Sequence, residues 1–205
     1  MSAERLRLAG RSLLAPLVSL VARARISPSA ITLAGLAITA CAAALVWEGR
    51  YLAGALVLAG GSILDALDGG VARKLGAESR AGAVLDSSCD RIGETLVYAA
   101  LIAGNAAESS PSLAYLAPAA LGGSYMVSYV RARSEGVGIP CSVGLFTRTE
   151  RLVLLTVALA AAEILHSSSL LVWACAVVAA GTWATAVHRL LRVYSEDRQS
   201  RAGRG

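Results

Sequence analysis

Apolar residues run through this chain in long stretches rather than in the narrow stripes typical of soluble helices. Six stretches are long enough, with their flanks where needed, to cross about 30 Å of hydrocarbon at a rise of about 1.5 Å per residue. They cover residues 30–47, 51–71, 84–104, 113–130, 152–165 and 170–187. The pattern therefore predicts an all-α, polytopic integral membrane protein with six transmembrane helices.

The segment before the first stretch has a different pattern. Leucines and valines of residues 6–21 alternate with arginines, which is typical of an amphipathic helix in the membrane interface. An ordinary helix docked on the bundle is the alternative. We predict three parts, namely an N-terminal cytoplasmic interfacial helix in 1–26, a transmembrane domain in 27–194 and a disordered cytoplasmic tail in 195–205.

The composition supports a membrane protein. Hydrophobic residues make up 56% of the chain and charged residues 16%, whereas a soluble domain has about a quarter charged residues. The cysteines show no metal-ligand spacing, so we expect reduced, structural thiols. They are Cys41, Cys89, Cys141 and Cys175.

The positive charges predict the orientation in the membrane. Of 19 lysines and arginines, only Arg50 falls in a connection on the outer side. The positive-inside rule then places both termini in the cytoplasm and the protein in the cytoplasmic membrane. The net charge of +5 is explained by this topology and by nearby anionic lipid. No nucleic-acid partner is expected, because there is no soluble basic domain to hold one.

Four aspartates interrupt the second and third apolar stretches near their adjoining ends: Asp65, Asp68, Asp86 and Asp90. Carboxylates in hydrocarbon are costly and need a partner, and a divalent cation is the simplest one. The first pair is spaced i, i+3 and the second i, i+4, so each pair shares a helix face. A short loop folds the two helices antiparallel. We therefore expect the four carboxylates to meet in one cavity that faces the cytoplasm.

Such a cluster suits phosphoryl transfer. Four carboxylates would neutralise two Mg²⁺ or Mn²⁺ ions, because hard cations prefer oxygen ligands. Gly69 and Gly82 leave room for a bulky ligand, and Arg73 can bind a phosphate bidentately. Two metals and an arginine around a diphosphate can stabilise the leaving group, while a remaining carboxylate takes a proton from an attacking hydroxyl.

The chain resembles the CDP-alcohol phosphotransferases in the run Asp65-x2-Asp68-Gly69-x2-Ala72-Arg73-x8-Gly82-x3-Asp86-x3-Asp90, which has eight fixed residues over 26 positions. The resemblance implies that Asp65, Asp68 and Asp86 bind metal. It implies that Asp90 is both a ligand and the general base. It further implies contacts to a CDP-linked lipid by Ser29, Thr32, Gly69, Arg73 and Ser79. An alcohol would attack the lipid-linked β-phosphate and release CMP, and the enzyme would be a homodimer.

The acceptor alcohol depends on the other cytoplasmic helix ends. Arginine-containing segments at 129–135, 148–151 and 188–189 surround the expected cavity and suggest an acceptor that is itself phosphorylated. The segments at 127–135, 141–144 and 148–152 resemble the branch of phosphatidylinositol phosphate and archaetidylinositol phosphate synthases. That resemblance implies 1L-myo-inositol 1-phosphate as the acceptor, held by Arg131, Arg151 and Arg189. Glycerol 3-phosphate is the second candidate, and the donor's tails, diacylglycerol or archaeol, stay open.

Two further classes of protein also bind cations or diphosphates with aspartates in a membrane. A divalent-cation transporter explains the carboxylates but not the fixed glycines and Arg73. A prenyltransferase binds a diphosphate through Mg²⁺ but has a different aspartate spacing. Glu94, one turn beyond Asp90, is either a support for the site or a hydrogen-bonded core carboxylate.

Overall fold

Every regular element in the described part of the chain is a helix, which confirms the all-α prediction. The computed structural model describes residues 26–77, 79–141, 143–144 and 146–202, without the side chains of 65–69 and 201. The helices are α1 Pro28–Trp47, α2 Tyr51–Leu75, α3 Arg80–Ala103, α4 Asn105–Ser109, α5 Leu113–Gly136, α6 Arg148–Ile164 and α7 Ser169–Ala202. The interfacial helix predicted in 1–26 lies almost wholly outside the described residues.

Local signals explain the turn between α2 and α3. Gly76 ends α2 with a left-handed φ of 60°, which costs glycine little because it lacks a Cβ. Ser79 then caps α3, where its hydroxyl accepts a hydrogen bond from the Gly82 N–H at 2.9 Å. These two signals produce the short connection that the sequence predicts, and they set where the aspartate-bearing segment of α3 begins.

At the opposite end of the bundle, the last turn of α6 contacts the start of α2. Arg50 occupies the N-cap position of α2 but its side chain makes no capping hydrogen bond. The Glu163 carboxylate instead accepts a hydrogen bond from the Leu52 N–H at 2.6 Å. A carboxylate at a helix N-terminus satisfies an unpaired donor and complements the helix dipole. Glu163 therefore joins the end of α6 to the beginning of α2.

The helices pack into one bundle. α1 lies against both α2 and α3, α2 lies against α6, and α7 lies against α5 and α6. Small residues allow close approach, since a Cβ on Gly93 would stand 3.0 Å from Thr39 and a Cβ on Gly123 would overlap Thr182. Close packing at small residues is the usual means of helix association in membranes, where lipid removes the hydrophobic drive.

Two described helices are long and apolar enough to cross a membrane: Pro28–Trp47, with a mean hydropathy of 2.1, and Ser169–Ser200, with 1.9. Tyr51–Leu64 is a shorter apolar segment. Large apolar side chains also lie exposed on the outside of the bundle, among them Leu56, Val84 and Trp173. The count of six spans stays a prediction.

Several boundaries differ from the sequence expectation. α6 begins four residues before its apolar stretch, and α4 is an additional short helix. Residues 195–202 continue α7, where the sequence predicts a disordered tail. An ion pair between Arg192 and Glu196 at 2.8 Å, spaced i, i+4, supports this polar helical extension. All four cysteines are described, and none forms a disulfide.

Candidate active site

A cavity opens between α1, α2, α3 and α6, with an empty volume of about 670 Å³ that includes its open side. Apolar side chains such as Leu36, Leu58 and Leu155 line part of the wall. The polar side chains that line the cavity are Thr32, Thr39, Ser62, Asp90, Glu94, Tyr98, Arg148 and Arg151.

α3 supplies the carboxylates of this cavity. Asp90 and Glu94 follow each other by one turn, and their side chains are only 13% and 14% exposed. Gly93 between them lets α1 approach closely. Asp86 lies one turn before Asp90 and is half-buried. The sequence prediction that the α3 aspartates form a helical series is confirmed, and Glu94 extends the series by one turn.

The remaining aspartates are carried by α2. Gly61 and Ser62 of this helix line the cavity, and Asp65 and Asp68 follow along the same helix. Their backbone is helical, as predicted, and they precede the turn that leads into α3. Convergence of their carboxylates with those of α3 stays a prediction.

Asp90 pairs with cations from two helices. Its Oδ1 lies 2.7 Å from Nη2 of Arg148, the first residue of α6. Its Oδ2 lies 3.9 Å from Nη2 of Arg91. The predicted general base is therefore in contact with a guanidinium that comes from the segment expected to bind the acceptor.

Glu94 and Arg151 form a second, more deeply buried pair. Arg151 Nε lies 2.8 Å from Glu94 Oε1, and Arg151 Nη2 lies 3.2 Å from Oε2. The Arg151 side chain is only 3% exposed. Arg91 adds an ion pair to Glu94 at 3.2 Å and donates to the Ser128 hydroxyl at 2.6 Å. Glu94 is thus both a hydrogen-bonded core carboxylate and part of the cavity wall.

The start of α6 has its own capping arrangement. Thr147 and Glu150 form a capping box, in which the Glu150 carboxylate accepts from the Thr147 N–H at 2.9 Å. Burial raises the pKa of Glu150, but hydrogen bonds from Thr147 outweigh it and hold that pKa below its ordinary value. The capping box fixes the first turn of α6, which carries Arg148 and Arg151 into the cavity.

The segment that precedes α6 is anchored on α7. Arg189 donates from Nε to the Val143 carbonyl at 2.7 Å and from Nη1 to the Val127 carbonyl at 2.6 Å. The Phe146 N–H donates to the Thr185 hydroxyl at 3.3 Å. Arg189 thus joins α7 to residue 143 and to α5, and these charge-assisted hydrogen bonds hold the segment that leads into α6.

The three predicted acceptor arginines have different surroundings. Arg151 lines the cavity, as described above. Arg189 is 3% exposed and donates to backbone carbonyls, close enough for the charges of Arg131 and Arg151 to act on it. Arg131 is exposed and pairs with Glu135 at 2.8 Å. Only Arg151 of the three lies among the described lining residues, and a role for all three in acceptor binding stays a prediction.

The predicted contacts to a CDP-linked lipid are also dispersed. Thr32 lines the cavity, and its hydroxyl donates to the Pro28 carbonyl at 3.1 Å. Ser29 is exposed in the first turn of α1, and Arg73 is exposed in the last turn of α2. Ser79 has a structural task as the cap of α3. Gly69 lies in α2 between the aspartates and Arg73, and its contacts stay a prediction.

Two residues at or next to the cavity were not predicted from the sequence. Arg91 was not singled out, although a charged residue in an apolar stretch is costly and so marks a partner or a function. Its partners are the carboxylates of Asp90 and Glu94. Tyr98 is 1% exposed and lines the cavity, and nothing in its local sequence distinguishes it from packing aromatics.

The donor chemistry of the α3 aspartates fits a divalent metal. Asp86 and Asp90 offer carboxylate oxygens on consecutive turns of α3, and Mg²⁺ and Mn²⁺ prefer such ligands. Within the described side chains, no three potential ligands gather at one point. The predicted set therefore depends on Asp65 and Asp68 from α2 for completion.

The fold and the cavity define an all-helical protein in which two carboxylates of α3 face two arginines of α6, in a cavity bounded by four helices. The chain belongs to the CDP-alcohol phosphatidyltransferase family, whose model matches residues 25–187. This family consists of enzymes, so the cation-transporter and prenyltransferase alternatives are not retained.

Solved structures of one relative have the same fold. The phosphatidylinositol phosphate synthase of Mycobacterium tuberculosis with CDP-DAG bound superimposes with a TM-score of 0.79 and 29% identity, over 87% of this chain and 92% of that chain. The same protein in complex with manganese and citrate gives a TM-score of 0.78 and 28% identity, over 87% and 88% of the two chains. The family is one of membrane enzymes, and the second structure shows a relative with this fold in complex with a divalent metal.

Sequence similarity to named synthases covers shorter regions. The chain is 41% identical over 96 residues to the phosphatidylinositol phosphate synthase of Mycolicibacterium smegmatis, which is 46% of this chain and 43% of that protein. It is 36% identical over 103 residues to the archaetidylinositol phosphate synthase of Methanothermobacter thermautotrophicus, half of each chain. These alignments span half or less of the length of the two synthases.

Proposed function

We propose that this protein transfers the phosphatidyl-type group of a CDP-linked lipid to a hydroxyl of 1L-myo-inositol 1-phosphate. The hydroxyl oxygen forms a bond to the β-phosphorus, the bond from that phosphorus to the CMP oxygen breaks, and CMP leaves. The hydroxyl proton passes to a carboxylate. The observation that carries this proposal is one cavity that presents Asp90 beside Arg148 and, one turn away on both helices, Glu94 beside Arg151.

In this proposal Asp90 accepts the proton. A base must be ionised, and a neighbouring guanidinium such as that of Arg148 favours the ionised form of a carboxylate. Two Mg²⁺ or Mn²⁺ ions held by Asp65, Asp68, Asp86 and Asp90 would neutralise the diphosphate and stabilise the leaving CMP. Arg73, in the exposed last turn of α2, would bind a phosphate of the donor.

Arg151 is suited to the phosphate of the acceptor. An arginine has five N–H donors in a fixed fork. The Glu94 carboxylate accepts from two of them, one on Nε and one on Nη2. The Phe146 carbonyl accepts one from Nη1 at 3.4 Å. Two donors on the terminal nitrogens are left beyond these contacts, and the oxygens of a phosphate could accept from them. The buried ion pair with Glu94 holds that fork at the cavity wall.

The same cavity can receive the donor lipid. Its apolar lining, including Leu36, Leu58 and Leu155, lies against the charged lining. A lipid with a charged head and apolar tails needs this combination. Thr32 on the wall and Ser29 nearby on α1 would contact the nucleotide together with Gly69 and Ser79. We further propose that both termini face the cytoplasm and that two copies form a homodimer.

An acceptor panel tests this assignment. Purified protein is incubated with CDP-diacylglycerol, Mg²⁺ and one of inositol 1-phosphate, glycerol 3-phosphate, inositol or serine, and the lipid product is identified by mass spectrometry. The proposal expects phosphatidylinositol phosphate from the first acceptor alone. Phosphatidylglycerophosphate as the main product would contradict the acceptor and leave the reaction class intact.

A further inference from the structure

Two arginines one turn apart at the start of α6 contact two carboxylates one turn apart on α3, but their surroundings differ. Arg151 is 3% exposed and grips Glu94 with two nitrogens. Arg148 is 37% exposed and contacts Asp90 through Nη2 at 2.7 Å. The ion pair of Arg151 is therefore buried, whereas the Arg148 guanidinium lies partly in solvent at the start of α6.

The Arg148 side chain has more freedom to move than that of Arg151. Arg148 is the first residue of α6, so no turn of this helix precedes it, and its side chain is 37% exposed. Its long side chain reaches Asp90 from a different helix, and partial exposure allows water to replace the contact. Arg151 has no such freedom, because its displacement would leave Glu94 and itself buried without each other.

The Asp90 carboxylate is also a predicted metal ligand, which puts two cations in competition for it. Oδ1 lies 2.7 Å from the Arg148 guanidinium, which already neutralises part of the negative charge that a metal ion would bind. The two positive charges would also repel each other at such a separation. Binding of a divalent cation at Asp90 would therefore weaken the hold of Asp90 on Arg148.

We propose that Arg148 is an exchangeable counter-ion of Asp90, which competes with the divalent cation and, once displaced, binds the phosphate of the acceptor in the same cavity. Its donors then lie one helical turn from Arg151, on the same face of α6. Metal and phosphorylated acceptor consequently bind with positive cooperativity, and each raises the affinity for the other by the same factor. The acceptor part of this inference rests on the proposed function, whereas the competition with metal does not.

The competition is tested without turnover. Full-length protein, freed of metal by a chelator and purified from it, is titrated with Mn²⁺, and unbound Mn²⁺ is measured by electron paramagnetic resonance. Arg148→Gln should bind Mn²⁺ at least about fivefold more tightly than the wild type, the lower end of usual coupling strengths. Arg148→Lys, which keeps the charge but loses the planar fork, should fall between the two.

The matched control is Arg192→Gln, which removes an arginine from an ion pair of similar length, 2.8 Å, at the end of α7. It should leave Mn²⁺ affinity unchanged. Equal or weaker Mn²⁺ binding by Arg148→Gln would overturn the competition, as would an equal gain in Arg192→Gln. Thermal unfolding of each variant verifies that the binding data come from folded protein.

A second titration tests the link to the acceptor. Inositol 1-phosphate, with no lipid present, should tighten Mn²⁺ binding in the wild type and do so less in Arg148→Gln. Glycerol 3-phosphate is titrated in parallel, so that a different preferred acceptor is recognised as a failure of the acceptor assignment alone. Equal enhancement in both proteins, or none in the wild type with either acceptor, would overturn the acceptor role of Arg148.

Discussion

Glu94 on α3 and Arg151 on α6 are joined by a buried bidentate ion pair, with Nε–Oε1 and Nη2–Oε2 distances of 2.8 and 3.2 Å. The pair ties the helix that carries the aspartates to the helix that carries the cavity arginines. Arg91 also contacts Glu94, at 3.2 Å, so one carboxylate serves two guanidinium groups. Glu94 thus has two arginine partners, so the loss of Glu94 and the loss of one arginine should affect stability differently.

Glu94→Gln should destabilise the protein more than Arg151→Gln. Removal of the Glu94 charge leaves two arginines facing each other, whereas removal of the Arg151 charge leaves Glu94 with Arg91. Loss of one partner from a buried ion pair typically costs about 3–5 kcal/mol. Thermal unfolding in detergent measures both variants. A larger loss in Arg151→Gln would show that Arg91 does not compensate Glu94.

Arg151→Ala should raise the KM for the acceptor more than the KM for the CDP-lipid. The two terminal N–H donors that Arg151 keeps for an anion would be lost, while the predicted donor contacts on α1 and α2 remain. Initial rates at varied acceptor and varied donor concentrations separate the two effects. A larger rise in the KM for the CDP-lipid would remove Arg151 from the acceptor site.

Ser79→Ala should lower stability by about 1 kcal/mol, because the cap of α3 is lost. Ser79→Gly should cost only a few tenths of that amount, since glycine is tolerated at the N-cap. If Ser79 also contacts the nucleotide, both variants should raise the KM for the CDP-lipid equally. If the KM for the CDP-lipid rises only in the variant that loses stability, Ser79 acts only as the cap of α3.

Glu163→Ala should lower stability without a specific change in either KM. Its carboxylate caps the start of α2 through the Leu52 N–H at 2.6 Å, on a side of the bundle away from the charged cavity lining. A lost cap of this kind costs about 1 kcal/mol. Glu163→Gln keeps an acceptor oxygen and should retain most of the stability. An unchanged melting temperature in Glu163→Ala would show that the contact contributes nothing.

The sequence predicted those parts of the molecule that depend on local pattern. Apolar stretches gave helices at the expected places, and the spacing of the aspartates identified the family. Local capping was less visible, since Ser79 belongs to a segment that resembles a nucleotide contact but also caps α3. Glu94 was recognised only as one of two alternatives, and the structure combines both.

Contacts between distant segments were not predictable. Arg148 and Arg151 stand about 57 residues from their carboxylate partners on α3, and no local signal pairs one with Asp90 and the other with Glu94. The helical extension at 195–202 was missed for a different reason. Its polar composition favours disorder, whereas helix propagation from α7 and the Arg192–Glu196 pair stabilise it.

The reaction proposed for this protein is acceptor-dependent phosphatidyl transfer with Asp90 as the base. The most direct measurement is CMP release by purified protein from CDP-diacylglycerol, with and without inositol 1-phosphate, with Mg²⁺ or EDTA, and in Asp90→Asn. We expect CMP release only when acceptor and Mg²⁺ are both present. We expect no turnover by Asp90→Asn, which should still bind the CDP-lipid. Near-normal CMP release by Asp90→Asn, or undiminished release in EDTA, would contradict this proposal.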